Sequence, residues 1–453
     1  MFQSINPANG EVIQEFPQQT DSAVRLLLEA NRDAQNKWKE TPIEERAQVI
    51  VRLGTLLLER TEQYGAILTA EMGKIKREAE AEVKKCASLC DYYAEHAASI
   101  LKDEQVSTPF ARSWVRYEPL GSILAIMPWN FPFWQALRFI VPNLMAGNGC
   151  VLKHAPNVFG AARAIEELLA DAGLPGRLFV NLMIEPEQIA KVIENPIIQG
   201  VTLTGSEGAG MAVAAKAGRE LKKSVMELGG SDPFIVLEDA DLDLCCQTSV
   251  LARCFNAGQV CISAKRFFVV ESLYDEFLQR HQKIMEELVI GDPSDPATDV
   301  GPMARLDLLE ELHEQIEASI SEGARFVTGG ERLNTKGWFY RPTLLADVTA
   351  EMTCFKQETF GPVTSLIKVK DAEEAIALAN ASPYGLGASV WSQDLAKAEE
   401  VAKRLEAGMV FINGMTSSNP ALPFGGVKRS GYGKECGPDG LTEFMNAKAM
   451  VIV

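Results

Sequence analysis

Positive charge is in short supply: 44 Lys and Arg face 61 Asp and Glu, a net charge of −17 over 453 residues. Nucleic acid is bound through a basic face, so it is excluded as a partner, and docking on an anionic membrane surface is excluded with it. One local Arg in a cleft still permits an anionic small molecule. Long apolar runs are missing too: no stretch approaches ~20 apolar residues, so no membrane span is expected. The opening MFQSINPANGEVI lacks the basic-then-apolar order of a signal peptide. Disulfide staples are not indicated. The nine cysteines are odd in number, and a chain this size needs none, which points to a reducing, cytoplasmic compartment. Cys86 and Cys90 stand i,i+4 on an expected helix, but no second pair and no nearby His completes a metal site, so no metal is expected. Internal repeats and low-complexity linkers are also lacking. What remains, 47% hydrophobic and 23% charged residues, is the balance of a packed globular protein with room for two or three domains.

Asn6-Pro7-Ala8-Asn9-Gly10 reads as a turn between two short strands. From about Ser22 to Ile100 apolar residues recur at helical spacing, as in Leu26, Leu27, Ala30, Ala34 and Trp38. Between Glu104 and Glu118 the period becomes two, with neither face purely apolar, which predicts strands outside the main core at a subunit contact. Strands at 121–127, 149–153, 178–182 and 200–204 then alternate with helices at 133–146, 159–172, 186–194 and 208–217. That alternation means βαβ units and a parallel sheet. A second series offers strands at 234–236 and 266–270 and helices at 240–252, 273–289, 306–322 and 372–381. Thr359–Pro362 and Phe424–Gly433 read as functional loops.

Four segments carry chemistry. Asn256-Ala257-Gly258-Gln259-Val260-Cys261 sets a cysteine between a polar loop and an apolar strand, and an exposed thiolate there is a strong nucleophile. Alone the signal is modest, because buried free cysteines are common and inert. Met226-Glu227-Leu228-Gly229-Gly230 ends a strand with a carboxylate beside flexible backbone. Pro128-Trp129-Asn130-Phe131-Pro132 lies at the carboxyl end of a strand, where open parallel sheets bind ligands. Its prolines would hold the Asn130 amide as a rigid donor to a developing oxyanion. Thr204–Gly210 follows a strand and opens a helix as a phosphate-binding turn does, though it is GSxxxG and not GxGxxG.

As a set these segments resemble the aldehyde dehydrogenase superfamily, with further motifs ExFGP at Glu358–Pro362 and PFGGxKxSGxGxE at Pro423–Glu435. The resemblance spans essentially the whole chain. It implies an α/β fold with a Rossmann-like cofactor domain (1–105 and 121–227), an α/β catalytic domain (228–422) and a small β oligomerisation arm (106–120 and 423–453). It also implies a homodimer or homotetramer acting on a small-molecule aldehyde with NAD or NADP. By motif it assigns Cys261 as nucleophile, Glu227 as general base and Asn130 as oxyanion donor. Trp129, Lys153, Gly205, Ser206, Leu228, Glu358 and Phe360 become cofactor contacts, with Lys153 at the adenosine ribose and Glu358 at the nicotinamide ribose. Glu435 is assigned to a proton path.

Within the superfamily the chain looks most like bacterial succinate-semialdehyde dehydrogenases, through PWNFPFWQALR at Pro128–Arg138, KHAPNV at Lys153–Val158, ELGGSDPF at Glu227–Phe234 and the loop Phe411–Ser418. That likeness makes Arg138 the bidentate partner of a distal carboxylate and Ser418 a second donor, with Ser417 as rival. The likeness has three departures. Phe255 stands where some relatives carry a further Arg, and Ser263 stands where some carry a redox-switch Cys. Pro156 replaces the Glu that reads the ribose 2′-OH in NAD-preferring enzymes, so both cofactors are expected to work.

Overall fold

The computed structural model describes residues 1–453. Two largely parallel sheets organise the chain. The first has six strands in the order 431–432, 223–227, 198–204, 122–127, 149–154 and 179–181, all parallel except the short first one. Its central strand Ser122–Met127 (SILAIM) is buried throughout, as expected of a parallel strand covered on both faces. One large apolar core lies on one face of this sheet and a smaller one, around Leu124, Val151 and Val201, on the other. The chain leaves Ser122–Met127 toward one edge and returns to place Ile198–Thr204 on its other side. The carboxyl ends of those two strands form a topological switch point, the crevice where such sheets bind ligands.

The second sheet has seven strands in the order 325–328, 343–346, 363–369, 264–270, 232–236, 387–391 and 409–412, again with cores on both faces. Only two of its strands, those near 234 and 266, were expected from sequence. The others are runs of four to seven residues whose apolar content reads equally as helix or strand. A third sheet pairs Met445–Ile452 with Arg112–Pro119 and Glu104–Gln105, antiparallel and standing apart. Of the stretch 423–453, only that last strand joins it. Gly431–Tyr432 pairs instead with Met226–Glu227 of the first sheet, and Phe424 is 2% exposed in the main core.

The long helical region divides into Asp21–Trp38, Ile43–Glu59, Thr61–Met72 and Lys76–Ile100. Gly73, at φ +78°, makes the last break, where an added Cβ would sit 2.6 Å from Pro302 Cγ. No side chain could be accommodated there without moving that proline. No helix is long and apolar enough to cross a membrane.

Candidate active site

The helix Pro132–Ala146 starts with Pro at its first position and is buried on every face. Its first amides, Phe133 N and Trp134 N, donate to Glu82 Oε1 at 2.9 and 3.0 Å, and Glu82 forms a buried ion pair with Lys74. Lys74 Nζ also donates to the Asn130 carbonyl at 3.0 Å. The Asn130 side chain is set by two further contacts: Nδ2 donates to Gln259 O at 3.0 Å, and Oδ1 accepts from Gln135 Nε2 at 2.9 Å. One hydrogen of that amide stays free, because a primary amide carries two. The rigidity that two prolines led us to expect is therefore supplied mainly by a buried Lys–Glu pair from the helical region.

The loop before Cys261 is strained. Asn256 and Ala257 have φ of 54° and 52°, and Gly258 follows at 72°. Left-handed backbone at two non-glycine residues costs of order 1–3 kcal/mol each and persists only when its surroundings enforce it. Glu78 accepts from Asn256 N at 2.9 Å, and burial pushes the Glu78 carboxyl up to about 7. Arg253, fully buried, donates to Gly258 O at 2.8 Å, Ala264 O at 3.0 Å, Ser263 Oγ at 3.0 Å and Thr359 O at 3.2 Å, and also to Gly361 O. Gly258 has room for no side chain, since a Cβ would collide with the Gly361 carbonyl group. Cys261 emerges half-buried. Its backbone N–H finds no acceptor within the chain, while its carbonyl accepts from Lys265 Nζ at 2.8 Å. Burial pushes the thiol up to about 12 against the pull of Lys265 and Arg138, so it rests protonated and needs a base to become a nucleophile.

Two cavities meet at Cys261, which with Gln135 lines both. The larger, about 470 Å³, lies at the switch point and is walled by Trp129, Asn130, Gly205, Ser206, Leu228, Glu358 and Phe360. The helix Glu207–Arg219 opens toward it, capped by Ser206 Oγ accepting from Ala209 N. Its free first-turn amides and dipole make an anion site. Glu358 Oε1 accepts from Gly230 N at 3.1 Å and pairs with Lys265 Nζ at 3.1 Å, and Trp129 meets Phe360 edge-on at 5.8 Å. Lys153 lies one strand away and does not line this cavity; its ammonium makes no hydrogen bond or ion pair within the chain. The smaller cavity, about 190 Å³, includes Phe131, Trp134, Arg138, Phe255, Ser417 and Ser418.

Glu227 stands apart. It is 2% exposed, lines neither cavity, and neither carboxyl oxygen has a hydrogen-bond partner. Burial raises its pKa well above the ordinary carboxylate value, and the neighbouring Glu435 charge adds to this against Arg138 and Lys434. Arg138 is not a free cation. Its Nε pairs with Glu435, and its guanidinium lies 4.2 Å over the Phe424 ring. Ser418 Oγ accepts from Lys85 Nζ at 2.6 Å, and Lys85 also lines the smaller cavity. Lys85, Arg253, Glu78 and Lys265 escaped the sequence reading. The available signal was polar residues interrupting apolar helix stripes, as Glu78, Glu82 and Lys85 do among Ala79, Val83, Cys86 and Leu89.

The Aldehyde dehydrogenase family model matches residues 1–450. A succinate-semialdehyde dehydrogenase [NADP(+)] of Deinococcus radiodurans is 46% identical over 447 residues, covering 99% of this chain and 94% of that protein. A succinate semialdehyde dehydrogenase [NAD(P)+] of Escherichia coli is also 46% identical, covering 99% and 97%. Among solved structures, the succinic semialdehyde dehydrogenase of Streptococcus pyogenes in complex with NADP+ superposes with a TM-score of 0.98 at 39% identity over 100% of both chains. The chain belongs to the aldehyde dehydrogenase family and has its fold.

Proposed function

We propose that this aldehyde dehydrogenase oxidises succinate semialdehyde to succinate, with NAD or NADP as hydride acceptor. The observation that carries this reading is the position of Cys261, whose thiol stands between a cavity with an anion-binding helix N-terminus and a second one lined by Arg138 and Ser418. Gly205 and Ser206 would hold the cofactor pyrophosphate, with Trp129 and Leu228 beside them. Glu358, already oriented by Gly230 and Lys265, would take the nicotinamide ribose, and Phe360 would flank the ring. Lys153 has an uncompensated ammonium and no carboxylate at position 156 to oppose a 2′-phosphate, which supports use of NADP as well as NAD.

In the proposed reaction the Cys261 thiol gives its proton to a solvent water and its sulfur attacks the aldehyde carbon. The oxyanion is held by the free Cys261 N–H and the remaining Asn130 amide hydrogen. The bound nicotinamide supplies the acceptor for the hydride, leaving an acyl group in thioester linkage to Cys261. Glu227 then turns toward the thioester and takes a proton from water; the hydroxide adds to the acyl carbon, the carbon–sulfur bond breaks to release succinate, and the departing thiolate takes the proton back from Glu227. A buried carboxyl with raised pKa suits a base working near neutral pH. The aromatic wall of the smaller cavity (Phe131, Trp134, Phe255) favours a second reading, in which aliphatic aldehydes or glutarate semialdehyde are the substrates. The six-stranded sheet is assigned to the cofactor and the seven-stranded sheet to catalysis. The three-stranded sheet, with Val451 and Ile452 exposed on its last strand and Val106 and Phe110 exposed on the loop between its other two, is assigned to a homodimer or homotetramer contact. Steady-state turnover of succinate semialdehyde, glutarate semialdehyde and hexanal with each cofactor tests the assignment. A kcat/KM highest for succinate semialdehyde is expected, and a higher value for hexanal overturns it.

A further inference from the structure

Lys265 follows Cys261 closely, at the start of the strand Ala264–Val270, and its side chain has no exposed surface. An ammonium carries three hydrogens, and three acceptors take them here: Cys261 O at 2.8 Å, Val260 O at 3.1 Å and Glu358 Oε1 at 3.1 Å. Ser263 O stands further off at 3.4 Å. The cation is therefore pinned under the nucleophile. The Val260 carbonyl shares its peptide unit with the Cys261 N–H assigned to the oxyanion, so a charged donor at that oxygen polarises the N–H and strengthens it. Glu358, the only carboxylate that pairs with Lys265, is the group assigned to the nicotinamide ribose, and it lines the larger cavity. A second carboxyl, Asp232, faces Lys265 from the neighbouring strand. It is 1% exposed and accepts from Gly387 N at 3.0 Å, and burial pushes it up to about 7 against the pull of Lys265.

We propose that Lys265 is a positioning residue whose buried positive charge sustains the Cys261 thiolate, and that the Glu358 carboxylate, by pairing with it, restrains that same charge. The proposal deepens the reading of Cys261 as nucleophile and rests on it. The charged groups that face the Cys261 sulfur are of both signs. Lys265 first and Arg138 second favour the thiolate, while Glu358 and Glu227 oppose it. Buried charges are weakly screened by salt, so each is felt at the sulfur. Removing the Lys265 cation and removing the Glu358 carboxylate therefore move the thiolate population in opposite directions. A residue that only props the loop through its hydrogen bonds gives no such opposition of sign.

The test reads the thiol itself, with neither cofactor nor aldehyde present. Iodoacetamide is attacked by the thiolate, which displaces iodide, so the alkylation rate below the thiol's own titration tracks the thiolate fraction. The other eight cysteines are buried, and Cys261→Ala supplies the background. Lys265→Gln keeps a neutral donor for the backbone carbonyls and drops the charge. At a fixed pH of about 8 its alkylation should slow about tenfold, the equivalent of ~1.4 kcal/mol. Lys265→Met should be slowed at least as much. Glu358→Gln should instead be alkylated roughly three- to tenfold faster, on the same scale. Turnover supplies a second readout. In Lys265→Gln the kcat/KM values for succinate semialdehyde and for butanal, which has the same chain length and no carboxylate, should fall by one common factor, because Lys265 touches the protein's own backbone. Should neither Lys265 variant fold, Glu358→Gln decides alone. An alkylation rate unchanged in Lys265→Gln, or not raised in Glu358→Gln, overturns the proposal. A loss of kcat/KM confined to one aldehyde also overturns it, by placing Lys265 at the substrate. Alkylation that persists undiminished in Cys261→Ala overturns the nucleophile reading itself, which is a different outcome.

Discussion

The two cavities at Cys261 are built differently. The larger is walled mainly by short contiguous stretches, Pro128–Asn130, Thr204–Gly208, Leu228–Gly229 and Lys356–Glu358 with Phe360, together with one face of the helix Leu306–Ser321. Much of what it presents is backbone, including the free amides of a helix N-terminus. The smaller is walled by side chains of the helix around 78–85 and the helix around 134–138, and by the runs Val260–Ser263 and Met415–Ser418. A backbone-built site tolerates side-chain change and suits a ligand shared across a family. A side-chain-built site changes specificity with one substitution, as grafted function on a common fold requires. Cys261 belongs to both, so its loss should have the largest effect. Cys261→Ala should lower turnover more than about a thousandfold on every aldehyde, as removal of a covalent nucleophile does. NADPH binding, followed by fluorescence, should stay within about threefold, a change well under 1.4 kcal/mol. Turnover within about tenfold of the parent would remove Cys261 from the proposed role.

Glu227 belongs to neither cavity, and that separates its effect by step. In Glu227→Gln the first turnover should release reduced cofactor in a burst, and the steady state should then drop by about 10²–10⁴, the usual worth of a general base. A burst that falls in step with the steady state would give Glu227 some other role. The same substitution carries a stability signature. A carboxyl whose folded pKa is raised contributes stability that is present below the ordinary carboxylate pKa and lost as pH rises through the raised value. Glu227→Gln removes that loss, so its Tm should match the parent at acid pH and exceed it at neutral and alkaline pH. A Tm difference that does not grow with pH would mean the carboxyl is not buried as described.

Arg253 sharpens the comparison from the scaffold side. It ties the loop before Cys261 to Thr359 and Gly361 beside the larger cavity, and contacts Ser263, which lines the smaller one. Arg253→Met removes the donor from four buried carbonyls, at about 1–3 kcal/mol for each one left unsatisfied. Its Tm should fall, and kcat/KM for succinate semialdehyde and butanal should fall together. A change in their ratio would mean that Arg253 reaches substrate.

This division explains what the sequence made legible. Trp129, Asn130, Gly205, Ser206, Leu228, Glu358 and Phe360 sit in short motifs, and the structure gathers all seven around one cavity. The parallel sheet around Ser122–Met127 was legible because βαβ spacing is local. Lys85 was not, because its partner Ser418 is 333 residues away, and Arg253 was not, because its contacts reach 108 residues along the chain. Arg138 was legible as a residue of the smaller cavity but not as an engaged one, since Glu435 reaches it through the return of the 423–436 stretch into the core. The outer strands of the seven-stranded sheet were lost for another reason: four-residue runs such as Thr343–Ala346 carry too little period to read.

The smallest expected effect lies where the larger cavity's backbone logic yields to one side chain. Pro156 begins a 3₁₀ turn just past Lys153, half-buried, with Ala155 extended before it. At that position a proline's missing N–H would have had no helical partner, so replacing it disturbs little. Pro156→Glu restores an N–H and sets a carboxylate in the first turn, which the local dipole favours. It also brings that carboxylate near Lys153, whose ammonium has no partner in the parent. A pair formed there cancels the attraction for a 2′-phosphate and offers an acceptor to a 2′-hydroxyl. The parent should use NADP within about tenfold of NAD in kcat/KM, since about 1.4 kcal/mol is all that separates them at that ratio. Pro156→Glu should move the NADP/NAD ratio toward NAD by a further factor of about ten, and less at high salt, because the new charge is only half-buried. The substrate ratio between succinate semialdehyde and butanal should not move. An unchanged cofactor ratio would mean that the 2′ position is read away from Lys153. A shift in the substrate ratio would mean that the two cavities are not independent, and the contrast between them would fail.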